Sequence, residues 1–199
     1  RRGRLTNHKV YGAGMATQAG DGLLTFAFQL LSEQKQIAPD IRVELISLLA
    51  RAAGPEGMVG GQAHDIEAEG KHLTLSELKI LDACKTGCLL SAPVSMACAV
   101  AGTALKDRVL LENFAAHLGL LFQITDDLLD EKGNLEDMGK MPGQDEKDNK
   151  STFVTILGVE EAEKYAEEEG ALAKEALAKL PFDSTILYEL TDLLLHRKK

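Results

Sequence analysis

The feature that most constrains the fold is an uncharged stretch of 20 residues from Thr86 to Leu105, bounded by Lys85 and Lys106. A stretch of that length can cross a lipid bilayer as a helix. However, it contains glycine, proline, serine and threonine, and it lacks the aromatic side chains that anchor membrane helices at the lipid headgroups. A helix buried on all sides in a soluble bundle has the same composition. We therefore expect such a helix and no transmembrane segment.

The rest of the chain also favours helices. Apolar residues recur with the helical period, and neither the alternation typical of strands nor an Asn-Gly hairpin signal occurs. The aromatic content of 5%, with no Trp, fits helix better than sheet. A single all-α domain over residues 1–199 is predicted, with a charged, glycine-containing loop at 132–150. The predicted helices are 10–31, 39–53, 56–69, 74–101, 105–131, 159–179 and 184–196. The spacing of Thr74 and Glu77 predicts a capping box at the start of the fourth.

Charge and cysteine content narrow the functional class. The net charge of −9 argues against nucleic-acid binding, which needs a basic surface. It leaves phosphorylated small molecules open, because these need only a few local cations. Cys84, Cys88 and Cys98 are an odd number in one stretch, which is untypical of a disulfide framework. We expect free buried thiols and a reducing, cytoplasmic setting.

The most informative segment is the acidic run around residues 123–130. On a helix, Gln123, Asp126, Asp127 and Asp130 share one face. Three carboxylates on one stripe resist joint ionisation unless a cation offsets them, and such hard oxygen ligands suit Mg²⁺. A solvated acidic helix end is the alternative. The strongly apolar residues just before the run favour the metal site.

Cations for an anionic ligand are also present. Lys85 interrupts an apolar helix, where a lysine is costly to bury without an anionic partner. The alternative is a lysine whose stem packs on the surface while its charge reaches water. Lys140 and Lys150 flank the glycine-containing part of the loop, and each taken singly is typical of a surface lysine.

A pair of helical glycines predicts a close backbone contact. Gly60 and Gly61 would each cost about 1 kcal/mol relative to alanine in a helix, so a close approach of another backbone is the expected reason for them. Gln62 and Asp65 follow at i and i+3 and share one helix face.

Together these residues resemble the trans-isoprenyl diphosphate synthase family, most closely its bacterial farnesyl diphosphate synthases. The resemblance covers essentially the whole chain, and the ordered set is far more specific than any one motif. The matching pieces are Arg1-Arg2-Gly3 with Thr6-Asn7-His8, Ala19 through Leu24, Gly61 through Ile66, Lys85-Thr86-Gly87, Phe122 through Asp130, Gly139-Lys140 and Lys150-Ser151-Thr152.

The resemblance implies an isoprenoid synthase-type helical bundle around a central cavity, working as a homodimer. The implied reaction joins an allylic diphosphate (dimethylallyl or geranyl) to isopentenyl diphosphate and yields farnesyl diphosphate. It uses Mg²⁺, with Mn²⁺ as an alternative. The family's first aspartate-rich motif lies just before the segment matched by Arg1. The resemblance therefore implies a domain that lacks its N-terminal part, including the residues that set product length.

The resemblance also implies roles for individual residues. Metal binding falls to Asp126 and secondarily to Asp127 and Asp130. Substrate binding falls to Arg1, Arg2, Gln62, Asp65, Lys140 and Lys150, with Arg2 on the isopentenyl side. The catalytic group is Lys85, Thr86 and Gln123; Lys85 also contacts the allylic diphosphate, and the other two turn dipoles toward an allylic cation. The terminal Arg197-Lys198-Lys199 resembles a basic tail that closes over the second diphosphate, and a solvated, frayed end is the alternative.

Three functional hypotheses stay open at this point. The first is the farnesyl diphosphate synthase. The second is a relative with the same chemistry and a longer or shorter product. The third is a non-catalytic helical subunit that keeps the fold. Terpene cyclases share an acidic motif without the Lys-Thr-Gly element. A di-iron bundle would need two helical Glu-x-x-His motifs, and the sequence has only one Glu-x-x-His, at residues 69–72.

Overall fold

The computed structural model describes residues 3–132 and 150–197, and all regular structure within these ranges is helical. The all-α prediction is confirmed. Arg1, Arg2, Lys140 and residues 133–149 of the predicted loop lie outside the described residues. The helices are α1 (Asn7–Tyr11), α2 (Ala13–Ser32), α3 (Pro39–Ala53), α4 (Met58–Glu67), α5 (Leu75–Asp82), a π-helical turn (Ala83–Gly87), α6 (Cys88–Ala101), α7 (Leu105–Lys132), α8 (Phe153–Leu157), α9 (Val159–Ala178) and α10 (Thr185–Leu195).

Two elements differ from the predicted helices. The first predicted helix is broken at Gly12, whose φ of +85° suits glycine and ends α1 before α2 begins. The short helix α8 was not predicted, because five residues are too few to show a helical period. Its start is stabilised by a cap in which the Thr152 side chain accepts the N–H of Thr155.

The core forms around α7, which packs along α9. Phe114, Leu121 and Ile124 of α7 are fully buried, and Phe153 of α8 closes one end of this cluster. The face of α9 toward α7 consists mainly of alanines, which let the two helices approach closely. The buried alanines of α9 are Ala162, Ala166, Ala173 and Ala176.

The uncharged helix is buried on one side, so the prediction of burial on all sides is wrong for the described residues. Ala92, Ser95 and Cys98 of α6 face α3 and α7, whereas Leu90 and Val100 are exposed. Within the described part of the chain, the continuous helix Leu75–Ala101 is the one segment long and apolar enough to span a membrane, with a mean hydropathy of 1.4 over its apolar window. Length and hydropathy alone do not distinguish a membrane span from a packed helix.

The cap at the start of α5 leads to a stability prediction. Glu77 N–H donates to the Thr74 hydroxyl, and Thr74 N–H donates to Glu77 Oε2 at 2.8 Å. The predicted capping box is thus present. Thr74→Ala should lower the free energy of unfolding by about 1 kcal/mol, measured by urea denaturation. Thr17→Ala on the exposed face of α2 is the control. Equal stability of the two variants would contradict the capping role.

Candidate functional site

A close contact between α4 and the π-helical turn organises the site. A Cβ atom added at Gly61 would lie 2.3 Å from the backbone nitrogen of Lys85 and 2.6 Å from its Cα. The predicted reason for a glycine here is therefore confirmed. π-Helical turns inside α-helices are frequent at functional sites. Asp65 lies one helical turn after Gly61 and is brought against the side chain of Lys85.

Two lysines converge on the carboxylate of Asp65. Lys85 Nζ donates to Asp65 Oδ2 at 2.8 Å, and Lys150 Nζ donates to the same oxygen at 3.2 Å. The Asp65 side chain is only 13% exposed, so both contacts are shielded from water. Lys85 therefore has an anionic partner inside the protein, as expected for a lysine within an apolar helix. Lys150 comes from a segment that is remote in sequence.

The lysine pair borders a polar pocket between α4, α5, α7 and residues 150–152. The pocket brings together five of the residues predicted for the site. These are Asp65, Lys85, Gln123, Asp127 and Lys150. Its other polar lining residues are Glu69, Asp82, Ser151 and Thr152. Gln62 is exposed on α4 and does not line this pocket.

A chain of hydrogen bonds orients Gln123. Thr86 Oγ1 donates to Gln123 Oε1 at 3.3 Å, and Gln123 Nε2 donates to Asp127 Oδ1 at 2.9 Å. The second oxygen of Asp127 accepts the backbone N–H of Phe153 at 2.8 Å. Asp127 thus fixes the direction of the Gln123 amide and holds the start of α8. The sequence pattern did not indicate this structural role.

The three aspartates of the acidic run on α7 have different surroundings. The Asp126 side chain is 40% exposed, whereas Asp127 and Asp130 are buried. Among residues 3–132 and 150–197, no group of three His, Cys, Asp or Glu side chains converges as metal ligands would. Mg²⁺ typically takes one or two protein carboxylates and completes its shell with water and phosphate oxygens. The accessible carboxylate of Asp126 fits that requirement.

Arg197 covers the outer side of the acidic helix. Its guanidinium donates to the Phe122 carbonyl oxygen at 3.0 Å and lies 4.4 Å from the centre of the Phe122 ring. It also donates to Thr125 Oγ1 at 3.2 Å and reaches Asp126 Oδ1 at 3.4 Å. Burial lowers the pKa of Arg197, and the charge of Asp126 opposes that effect. The alternative of a frayed end is therefore wrong for Arg197. Lys198 and Lys199 lie outside the described residues.

The cysteines are free thiols, as predicted, although only Cys98 is fully buried. Cys84 and Cys88 are half-buried beside the π-helical turn. Burial, together with the nearby Cys84, raises the pKa of the Cys88 thiol, which keeps it protonated near neutral pH.

The ion pairs of Asp65 lead to a pH prediction. Burial raises the pKa of this carboxyl, but hydrogen bonds and charges from Lys85 and Lys150 outweigh burial and bring it below the usual 3.8. A carboxyl with a lowered folded-state pKa stabilises the protein above its unfolded pKa, and this contribution disappears as the pH falls through the folded pKa. The stability difference between wild type and Asp65→Asn should therefore shrink below about pH 4, as measured by urea denaturation. A difference that grows on acidification would contradict these ion pairs.

Comparison with known proteins identifies the family of the chain. The Polyprenyl synthetase family profile matches residues 1–184. The chain is 52% identical over 161 residues to farnesyl diphosphate synthase from Geobacillus stearothermophilus. The aligned region covers 80% of this chain and 54% of that protein. It is 38% identical over 199 residues to geranylgeranyl diphosphate synthase from Cyanophora paradoxa, covering 99% of this chain and 66% of that protein.

The solved structures agree as well. A geranyltransferase from Helicobacter pylori, complexed with magnesium and isoprenyl diphosphate, superposes with a TM-score of 0.85 at 34% identity. The superposition covers 98% of this chain and 65% of that one. The chain thus spans between about half and two thirds of the length of these relatives. Because the family profile matches residues 1–184 and the fold agrees, the chain belongs to the polyprenyl synthetase family.

Proposed function

We propose that this chain is part of a Mg²⁺-dependent prenyltransferase that condenses an allylic diphosphate, dimethylallyl or geranyl, with isopentenyl diphosphate to give farnesyl diphosphate. The observation that carries the proposal is the convergence of Lys85, Lys150 and the oriented Gln123 amide in one polar pocket beside the acidic helix α7. The similarity to a farnesyl diphosphate synthase at 52% identity supports the same reaction.

The lysines act on the diphosphate leaving group. When the C–O bond of the allylic substrate breaks, negative charge grows on the diphosphate, and two ammonium groups already in place stabilise it. Asp126 holds the metal ion, with Asp127 and Asp130 in secondary roles. Mg²⁺, when bound, supplies further positive charge to the diphosphate oxygens. Arg1 and Lys140 add contacts to the allylic diphosphate, and Arg2 and Gln62 complete substrate binding.

Gln123 and Thr86 face the organic part of the reaction. Their mutual hydrogen bond aims the Gln123 carbonyl oxygen toward the π-helical turn. With the allylic carbon on that side of the pocket, the negative ends of the two dipoles would stabilise the cation. The isopentenyl double bond attacks the allylic carbon and forms the new C–C bond. The product cation then loses a proton, which the departed diphosphate accepts. No side-chain nucleophile is needed for these steps.

We also propose a cytoplasmic homodimer that assembles through α2. Leu23, Phe26 and Leu30 of α2 are exposed, and no residue of this helix is buried in the single chain. Exposed apolar side chains on one helix are typical of a surface that pairs with another molecule. The free cysteines agree with a reducing compartment. The whole chain would form a single domain of the larger protein.

The decisive experiment is a product assay on the intact protein that contains this chain, with geranyl diphosphate, isopentenyl diphosphate and Mg²⁺, with products separated by chromatography. A 15-carbon product is expected, and Lys85→Ala is the matched variant in which it should be strongly reduced. Binding of geranyl diphosphate is measured in parallel. Binding without product would favour a non-catalytic helical subunit. The absence of both binding and product would contradict the proposal.

A synthase with a longer product is the second candidate. The match to the Cyanophora geranylgeranyl diphosphate synthase covers 99% of this chain, whereas the match to the Geobacillus farnesyl diphosphate synthase covers 80%. The same assay distinguishes the two, because a 20-carbon main product would replace farnesyl diphosphate as the conclusion.

A further inference from the structure

Asp65 is an acidic residue that contacts both lysines of the proposed diphosphate site, and its role there needs an explanation. Asp65 lines the polar pocket, and its charge would repel an incoming diphosphate. The same Oδ2 atom accepts a hydrogen bond from both Lys85 and Lys150. We propose that Asp65 is a positioning residue, whose carboxylate holds the two lysines together for the diphosphate and does not itself bind substrate. This inference rests on the proposed function.

The two lysines need such an anchor because they come from separate elements. Lys85 is on the π-helical turn, and Lys150 precedes the cap of α8. Two ammonium groups brought to one oxygen repel each other, and long lysine side chains lose rotamer freedom when they are held in place. A shared, shielded carboxylate offsets both effects before the ligand arrives. Each ammonium carries three N–H donors, so a bond to Asp65 does not prevent a bond to phosphate.

The backbone around the pair is held independently of Asp65. Gly61 lets α4 contact the π-helical turn directly. The Ser151 hydroxyl accepts from Leu73 N–H at 3.0 Å and donates to the Lys71 carbonyl at 3.3 Å, which docks the segment after Lys150. Loss of the Asp65 charge should therefore release the lysine side chains and leave the fold in place.

The two possible roles of Asp65 predict opposite changes in diphosphate affinity when its charge is removed. If Asp65 only contributes negative charge, Asp65→Asn should strengthen binding of inorganic diphosphate, because a repelling charge is removed. If it positions the lysines, binding should weaken by about tenfold, the effect of losing one hydrogen bond between charged groups. Glu69→Gln is the matched control, because Glu69 is an exposed acid that lines the same pocket. This control should bind diphosphate as tightly as wild type or more tightly.

Affinities are measured by titration calorimetry with inorganic diphosphate and Mg²⁺, after circular dichroism has shown that each variant is folded. Binding by Asp65→Asn that equals or exceeds wild type would overturn the positioning role. A wild-type chain that binds no diphosphate would contradict the proposed function instead.

A second measurement tests the positioning role without any ligand. Lysines are labelled with an amine-acylating reagent and quantified by peptide mass spectrometry. In Asp65→Asn, Lys85 should react severalfold faster, whereas the exposed Lys106 should be unchanged. Unchanged reactivity of Lys85 would refute the inference whether or not diphosphate binds.

Discussion

Replacement of Asp126 by alanine is expected to lower the rate of product formation at least about 100-fold, because charge stabilisation by a metal ion is worth several kcal/mol and each 1.36 kcal/mol is a factor of ten. Asp126 is the most accessible of the three aspartates in the acidic run of α7, so it is the one that can reach a metal ion without rearrangement. The same accessibility means that the variant should keep its melting temperature. Both quantities are measured on the purified intact enzyme.

The variant Arg197→Ala shows whether Asp126 binds a metal ion or only holds Arg197 in place. If Asp126 served only to hold Arg197, removing either partner would have the same consequence. We expect instead that Arg197→Ala retains most of the turnover and loses stability, because its guanidinium packs on the Phe122 ring and bonds the Phe122 carbonyl. Equilibrium binding of Mn²⁺ in the presence of diphosphate gives an independent comparison of the variants. Wild-type turnover and Mn²⁺ affinity in Asp126→Ala would remove this residue from the metal site.

Gly61→Ala is expected to lower the free energy of unfolding by about 2–3 kcal/mol, the typical cost of overpacking. The added methyl group would meet the backbone of Lys85 at 2.3 Å, and backbone atoms cannot move aside as a flexible side chain can. The contact between α4 and the π-helical turn would open and carry Asp65 away from Lys85. Urea denaturation measures the loss of stability, and diphosphate titration measures the accompanying loss of binding.

Gly14→Ala is the matched control for this substitution. Gly14 lies in α2, where a Cβ atom would meet no atom within 4 Å. There alanine should stabilise the helix by up to about 1 kcal/mol, because it loses less backbone entropy than glycine. The two identical substitutions therefore have opposite expected signs. A Gly61→Ala variant as stable as wild type would contradict the close packing.

Features that depend on neighbouring residues could be predicted from the sequence. The apolar period placed seven of the helices, and the Thr74–Glu77 spacing predicted a cap that the structure confirms. The glycine pair at Gly60 and Gly61 predicted a close approach, because glycine in a helix has a conformational cost that only packing offsets. The π-helical turn and the break at Gly12 carried no comparable signal, since both are deviations of a residue or two within helical patterns.

The tertiary structure alone decided which side chains meet. Sequence analysis treated Asp65 and Lys150 as separate substrate contacts, whereas in the structure Lys85 and Lys150 both donate to one carboxylate oxygen of Asp65. It placed Asp126 and Asp127 on one stripe, whereas packing against α8 engages Asp127 and leaves Asp126 accessible.

The physical reason is the range of the interactions. Helical period, capping and glycine cost act over about four residues, so the sequence by itself determined the all-α class, the acidic face of α7 and the lysine that needed an anion. The lysine pair, the orientation of Gln123 and the docking of Arg197 arise where remote helix faces come into contact. Those contacts depend on how the helices pack around α7, and no local spacing records that packing.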